Sequence, residues 1–329
     1  MIINNVRAYY AADTEVKAVD GVSFSIDEGE VFGIVGESGC GKSTLASVMS
    51  LTAARTLRVK EGEMILDGEK LPLSQQNKAP RDWHGKMVAL LPQRAMNSLN
   101  PTARIRNVII DVVRAHEPRT QPAEIIQKAR ERLDQLSLPV RVIDSYPHQL
   151  SGGMRQRVVA VISTLLNPKV LIADEPTSAL DVSSQKQFIL LLQELLGHGF
   201  ITRIVYISHD LPMLSNIADR IAVMYAGKIV EIGTTEQIVH YPQHPYTQAL
   251  IASTLDLDPE IRERQIKGIP GAPPDLRNPP AGCRFHPRCP YVMDICSRDD
   301  PPEVGDRDRF AACWWTQGQL EKVKSMEAS

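Results

Sequence analysis

The stretch GESGCGKST, Gly36 to Thr44, decides how this chain is read. Glycines alone mark only a bend, so its neighbours carry the argument. Before it comes EVFGIVGE, whose Val31, Phe32, Ile34 and Val35 read as a strand buried on both faces. After it comes LASVMSL, with Leu45, Val48 and Met49 at helical spacing. A buried strand, a flexible turn and a helix N-terminus, in that order, aim backbone N–H groups and a helix dipole at one spot. Gly36, Gly41, Lys42 and Ser43 fill every fixed position of the pattern G-x-x-x-x-G-K-[ST]. Lys42 adds a mobile charge for outer phosphates, and the Ser43 hydroxyl can ligate Mg²⁺. The segment reads as a phosphate cradle.

A chain of 329 residues is long for one core, so two domains are expected. At 43% hydrophobic and 23% charged it has an ordinary globular composition. The 37 basic residues do not outnumber the 39 acidic ones, which argues against a nucleic-acid binder. The opening MIINNVRAYY lacks the basic-then-apolar build of a secretory signal, and VVAVISTLL is far too short to span a bilayer. A soluble, cytoplasmic chain is expected, with any membrane role exercised through partners.

Strands are expected in NNVRAYY, AVDGVSFSI and the segment feeding the loop, with a hairpin turning at Asp67-Gly68. Residues from about Pro101 to Leu166 read as helical; PAEIIQKARERLDQL carries Ile125, Ile126, Ala129 and Leu133 on one face. KVLIADE and RIVYISHD then return as buried strands around the helix QKQFILLLQELLGHG. Strand–helix alternation implies an α/β fold, a parallel sheet covered by helices. IAVMYAGKIVEIG reads as a closing hairpin, and beyond Gly233 the proline-rich chain reads as a loop-built appendage with little periodicity.

KVLIADE ends in two carboxylates, at the edge where parallel sheets hold ligands. Asp174 can hold Mg²⁺ opposite Ser43, while Glu175 can polarise an attacking water. SYPHQLSGGMRQRV supplies a second bare helix N-terminus about 110 residues after the first, with Ser151 as cap or phosphate donor. One chain has no second lysine loop to go with it. A composite site, loop from one subunit and LSGG from another, is the economical reading.

On these residues the chain resembles the ATP-binding cassette (ABC) family over residues 1 to about 233. Gly36–Thr44, with Ser38, Gly39, Cys40, Gly41 and Lys42, looks like the Walker A loop, and Gln93 in LLPQ like the glutamine that senses Mg²⁺. Leu150–Arg157, with Ser151, Gly152 and Gly153, resembles the signature motif, and Leu171–Glu175 the Walker B strand. Ser178–Asp181 looks like the D-loop and His209 like the switch histidine. Tyr10 sits where the family stacks an aromatic on adenine, with Tyr9 a close competitor. The resemblance implies a P-loop NTPase core with a parallel sheet, an antiparallel β subdomain and a helical subdomain over about 94–157. It also implies ATP hydrolysis with Glu175, His209 and Gln93 at the chemistry, and ATP held by Tyr10, the loop from Gly36 to Thr44, Ser151, Gly152, Gly153 and Asp181. Mg²⁺ would lie at Ser43, Gln93 and Asp174.

HPYTQAL and GCRFHPRCP look like the C-terminal extension, here 234–329, of oligopeptide/dipeptide importer ATPases. The resemblance implies work at the cytoplasmic face of the membrane with a second ATPase, as a heterodimer on two permease subunits fed by an external binding protein. The cargo would be di- or oligopeptides, or oligosaccharides. A soluble cassette of DNA repair or translation is the rival; it would carry a long coiled-coil insertion or two cassettes per chain, and neither is present. An exporter commonly fuses membrane helices to its cassette. An iron–sulfur regulator that only binds ATP would not need Glu175.

Four of the five cysteines crowd the last fifth of the chain, as Cys283-x5-Cys289-x6-Cys296-x16-Cys313. They lack the close pairs of structural zinc, and four thiolates on loops suit a [4Fe–4S] cluster, which some members of the peptide-importer group carry. Zinc, free thiols and partial disulfides stay open. His286, among prolines, reads as a turn residue, and Cys40 as a small residue tolerated in the loop.

Overall fold

The computed structural model describes residues 1–93, 98–178, 180–253, 268–306 and 308–319. The chain opens with strands β1 (Ile2–Tyr10) and β2 (Val16–Ser25), then β3 (Val31–Val35), the phosphate-cradle segment and helix α1 (Lys42–Met49). Strands β4 (Leu57–Leu66) and β5 (Glu69–Pro72) form the expected hairpin. Its turn residues Asp67 and Gly68 both hold positive φ, 49° and 85°, as a two-residue hairpin turn requires. Next come β6 (Val88–Leu91), helices α2 (Ile105–His116), α3 (Pro122–Gln135) and α4 (Gly152–Ser163), and β7 (Val170–Asp174). The alternation continues through α5 (Val182–Gly197), β8 (Arg203–Ser208), α6 (Leu211–Ser215), β9 (Arg220–Tyr225) and β10 (Lys228–Thr234). Past Gly233 follow α7 (Thr235–His240), α8 (Pro245–Ala252), β11 (Glu303–Gly305) and β12 (Phe310–Ala312).

Two sheets result. One is antiparallel, in the order β2-β1-β4-β5; the other runs β11-β12-β10-β9-β3-β8-β7-β6 and is parallel from β9 to β6. Strand β3 lies inside this sheet, and all five of its residues are buried. Its period-two alternation serves two cores. Val31 and Val35 join the cluster built with α2, α3, α4 and α5, while Phe32 and Ile34 join the one shared with α1 and the antiparallel sheet. Phe24 of β2 stacks on Phe32 with ring centroids 5.0 Å apart, tying sheet to sheet.

The chain beyond Gly233 departs from its loop-built reading. Thr234 caps α7 with a reciprocal Gln237 bond, and His244 caps α8. Strand β12 pairs with β10, and β11 with β12, widening the main sheet. Phe285, Tyr246, Leu250, Cys283 and Cys296 lie in the same core cluster as β3 and β8. Strands of three residues are too short to show alternation; they form because β10 offers an edge to pair with.

Candidate functional site

The segment between β3 and α1 is shaped by backbone crowding. Gly41 has φ 109°, and a Cβ there would stand 2.9 Å from Met224 Cε and closer still to the Ala18 carbonyl. At Gly36 a Cβ would stand 2.9 Å from Cys40 Sγ and closer still to the Met224 carbonyl. Only glycine lets the loop run against β2 and β9 in this way. Lys42, buried at 5% exposure, folds its ammonium back over the loop, donating to the carbonyls of Gly36 (2.7 Å) and Glu37 (3.0 Å). Cys40 is buried beneath it, and burial pushes its thiol pKa up.

Strand β7 ends at Asp174, whose Oδ1 accepts from the Ser43 hydroxyl at 3.2 Å. Burial raises the Asp174 pKa; Ser43 opposes the rise, neighbouring Glu175 adds to it and Lys42 works against it. Glu175 sits at φ 44°, left-handed for a side chain with a Cβ, and its N–H donates to the Ile207 carbonyl at 2.9 Å. Its Oε2 accepts from Gln93 Nε2 at 2.9 Å, and its Oε1 stands 3.1 Å from His209 Nδ1. Gln93 follows β6, Glu175 follows β7 and His209 follows β8, so the C-terminal edge of adjacent parallel strands assembles the group.

Beside the loop lies a cleft of about 380 Å³, lined among others by Tyr10, Lys42, Ser43, Gln93, Glu175 and Leu276. The Tyr10 hydroxyl is 3.3 Å from Thr44 Oγ1. Tyr9 is turned elsewhere, its hydroxyl donating to Asp20 at 2.6 Å, so the strand register separates the two candidates. The arrangement offers what phosphoryl transfer uses: loop N–H groups, a lysine, a hydroxyl–carboxylate pair and a carboxylate fixed by two polar neighbours.

A family model described as ABC transporter matches residues 19–178, and one described as oligopeptide/dipeptide transporter, C-terminal region, matches 230–296. The chain is 43% identical to the dipeptide transport ATP-binding protein DppD of Caldanaerobacter subterraneus, over 94% of this chain and 95% of that one. With the oligopeptide transport ATP-binding protein OppD of Bacillus subtilis it shares 42% identity over 95% of this chain and 88% of the relative. The chain belongs to the ABC transporter ATPases. It also resembles the dimeric structure of MJ0796, a bacterial ABC transporter cassette, with TM-score 0.59 at 26% identity over 71% of this chain and 98% of that one. A post-hydrolysis dimer of the same cassette, bound to ADP and Pi, matches with the same TM-score.

In this ABC ATPase the residues that resemble the signature motif do not line the cleft. Ser151 caps α4 by accepting from the Met154 N–H at 3.3 Å, leaving Ser151 and Gly152 exposed. Asp181 caps α5, accepting from the Ser184 N–H at 2.9 Å and the Ser184 hydroxyl at 2.8 Å. Gly153 fits against that same Ser184, where a Cβ would meet Oγ at 2.8 Å. The fold therefore brings Gly153 of the signature-like stretch and Asp181 of the D-loop-like stretch to the same Ser184. Ala179, and residues 94–97 of the helical subdomain expected over 94–157, lie outside the described residues.

None of the five cysteines is in a disulfide; Cys283, Cys296 and Cys313 are buried and Cys289 half-buried. The Cys283 N–H donates to the Cys296 carbonyl at 2.9 Å, and Cys289 Sγ accepts from the Tyr291 N–H at 3.4 Å. Burial pushes the Cys283 thiol up to about 12 and Cys289 to about 11, the neighbouring cysteines adding to both shifts. His286 holds the Cys283 carbonyl at 2.9 Å through Nδ1 and occupies a 3-10 turn, as its prolines suggested. Sequence reasoning missed Leu276, whose carbonyl accepts from the Lys17 N–H at 2.9 Å, and the partners of Glu37 described below. No local pattern could have revealed either, because both are pairings across most of the chain. Among the described residues no helix is long and apolar enough to cross a membrane.

Proposed function

We propose that this chain is the ATP-hydrolysing subunit of an importer of dipeptides or oligopeptides, working at the cytoplasmic face of the membrane on two permease subunits. The observation that carries this reading is likeness to peptide-transport ATP-binding proteins over nearly the whole chain, the extension included. In this reading ATP occupies the cleft, its base against Tyr10 and its phosphates on the loop from Gly36 to Thr44 with Ser38, Gly39, Cys40, Gly41 and Lys42. Ser43, Asp174 and Gln93 would hold Mg²⁺, whose chemistry there is to neutralise phosphate charge. The Ser43–Asp174 hydrogen bond, donor and carboxylate on facing elements, fits that group. Glu175 orients and deprotonates the attacking water, and His209 stabilises the γ-phosphate.

The exposed Ser151, Gly152 and Asp181, with the half-buried Gly153, serve the other cassette of a head-to-tail pair, which we take to be a heterodimer with a second ATPase. Closure passes through Gln93 to the permease. An external binding protein delivers the cargo. Affinity capture of the chain from gently solubilised native membranes, followed by mass spectrometry, tests this. Two permeases and a second cassette are expected; ribosomal or DNA-repair proteins in their place overturn it.

We further propose that Cys283, Cys289, Cys296 and Cys313 hold a [4Fe–4S] cluster. The donor set fits in kind: four thiols free of disulfides, with N–H donors on the sulfurs of Cys283 and Cys289. Among the described residues no three of His, Cys, Asp or Glu stand close enough to hold a single metal ion, so the four thiols would have to close around the larger cluster as it is inserted. No step of the ATP reaction is routed through it. Anaerobic purification followed by iron and sulfide analysis decides: equal iron and sulfide are expected, and zinc or bare thiols overturn the proposal.

A further inference from the structure

Glu37 is a carboxylate placed inside a phosphate-binding loop. A negative charge there repels a polyphosphate unless it is neutralised. The structure shows how it is held. Its carboxylate takes a two-pronged bond from Arg288, Nη1 to Oε2 at 2.7 Å and Nη2 to Oε1 at 3.0 Å. Its N–H donates to the hydroxyl of the fully buried Tyr246 at 2.9 Å. Arg288 is itself fixed: its side chain is 5% exposed, its Nε donates to the Pro270 carbonyl at 2.7 Å and its Nη1 to the Tyr225 hydroxyl at 3.2 Å. Glu37, by contrast, is 23% exposed at its side chain. A planar fork locked by its own surroundings loses little freedom in gripping a carboxylate.

Both partners come from the extension, more than 200 residues along the chain from the loop they hold. Lys42 bonds the Glu37 carbonyl, but that bond is one a nucleotide would compete for. The grips of Arg288 and Tyr246 lie on other atoms of Glu37.

We propose that Arg288 is a positioning residue for nucleotide binding: it cancels the Glu37 charge and holds that carboxylate off the phosphates, so that the loop presents only donors and Lys42 to ATP. The extension is in this way a component of the nucleotide site. The proposal rests on the phosphate-loop reading of residues 36–44 and on neither the cargo nor the cluster.

The test measures binding of a non-hydrolysable ATP analogue with Mg²⁺ by calorimetry on the full chain. Nucleotide binding by the unaltered protein checks the loop reading separately. Arg288→Gln frees the carboxylate, and affinity is expected to fall about tenfold at low salt, less at high salt. Glu37→Gln combined with Arg288→Gln removes both charges, and affinity returns to within about threefold of the unaltered chain. In the assembled transporter the loss in Arg288→Gln falls on KM for ATP rather than kcat. A double variant as weak as Arg288→Gln, or an Arg288→Gln that binds normally, overturns the proposal. Should Arg288→Gln not fold, Glu37→Gln alone still decides. It leaves an uncompensated guanidinium near the phosphates, so tighter binding is expected and unchanged or looser binding refutes the idea.

Discussion

Replacing Gly41 with alanine, and Gly39 in parallel, separates two reasons for a glycine that sequence cannot tell apart. Both hold positive φ, 109° at Gly41 and 81° at Gly39. Gly39 has nothing within 4 Å of an added Cβ, so Gly39→Ala carries backbone strain alone, about 1 kcal/mol. At Gly41 the φ lies beyond the left-handed well of L-residues, a strain of about 3 kcal/mol. The added Cβ also strikes the Ala18 carbonyl and the Met224 methyl. The carbonyl belongs to β2 and cannot swing aside, which adds about 1–3 kcal/mol of overpacking. Gly41→Ala is therefore expected to cost about 4–6 kcal/mol, a large share of the roughly 5–15 kcal/mol that holds a domain folded. Urea denaturation reads the loss directly, and calorimetric titration with Mg-ATP reads it if the loop distorts instead of the fold. The expected order is a large loss for Gly41→Ala and a loss of about 1 kcal/mol in stability for Gly39→Ala. Equal effects, or a Gly41→Ala protein with normal stability and normal affinity, would refute the reasoning.

Glu175→Gln keeps the shape but not the base, so turnover is expected to fall about 10²–10⁴-fold, about 3–5 kcal/mol in the barrier, with ATP affinity undiminished in a nucleotide-trapping assay. Tyr10→Ala is expected to weaken ATP binding by about 1 kcal/mol, roughly fivefold, while Tyr9→Ala, turned toward Asp20, leaves equilibrium binding unchanged. Burial lowers the His244 pKa to about 3, and its Nδ1 accepts from the Tyr246 N–H at 3.0 Å. The unfolded chain then binds a proton near pH 6.5 that the folded one refuses, so this contribution is present above about pH 6.5 and is lost as pH falls toward 3. Between pH 7 and 5 the loss is about 2 kcal/mol, and in His244→Asn the urea midpoint is expected to vary less over that window. Glu231, whose pKa burial raises, acts in the opposite sense but is common to both proteins.

The cassette was legible because its signals are local. β3, the glycine-rich turn and α1 are contiguous, and the hydrophobic runs of β7 and β8 declare parallel strands without reference to anything distant. Gln93, Glu175 and His209 could each be picked out as strand-end residues, but their meeting depends on the order β8-β7-β6. The same holds for Tyr10 against Tyr9, which differ only in the face of β1 they occupy. What stayed hidden lies in the extension. Three-residue strands carry no period, and Arg288 gives no hint within its own neighbourhood that its partner is Glu37. The proline-rich texture concealed a segment that packs into the main core, because a chain bracing itself on an existing surface needs little amphipathic pattern of its own.

The grip of Tyr246 and Arg288 on Glu37 also has a bearing on how the molecule is made. Synthesis runs from the N-terminus, so the phosphate loop leaves the ribosome long before the residues that fasten it. β3 waits likewise for β8 and β9, which flank it. A chain cut short after β10 would carry every signature of the cassette and still lack the counter-charge on Glu37. On the proposal made above for Arg288, the nucleotide site is finished only after chain well beyond β10 has been made, Tyr246 first and Arg288 after it.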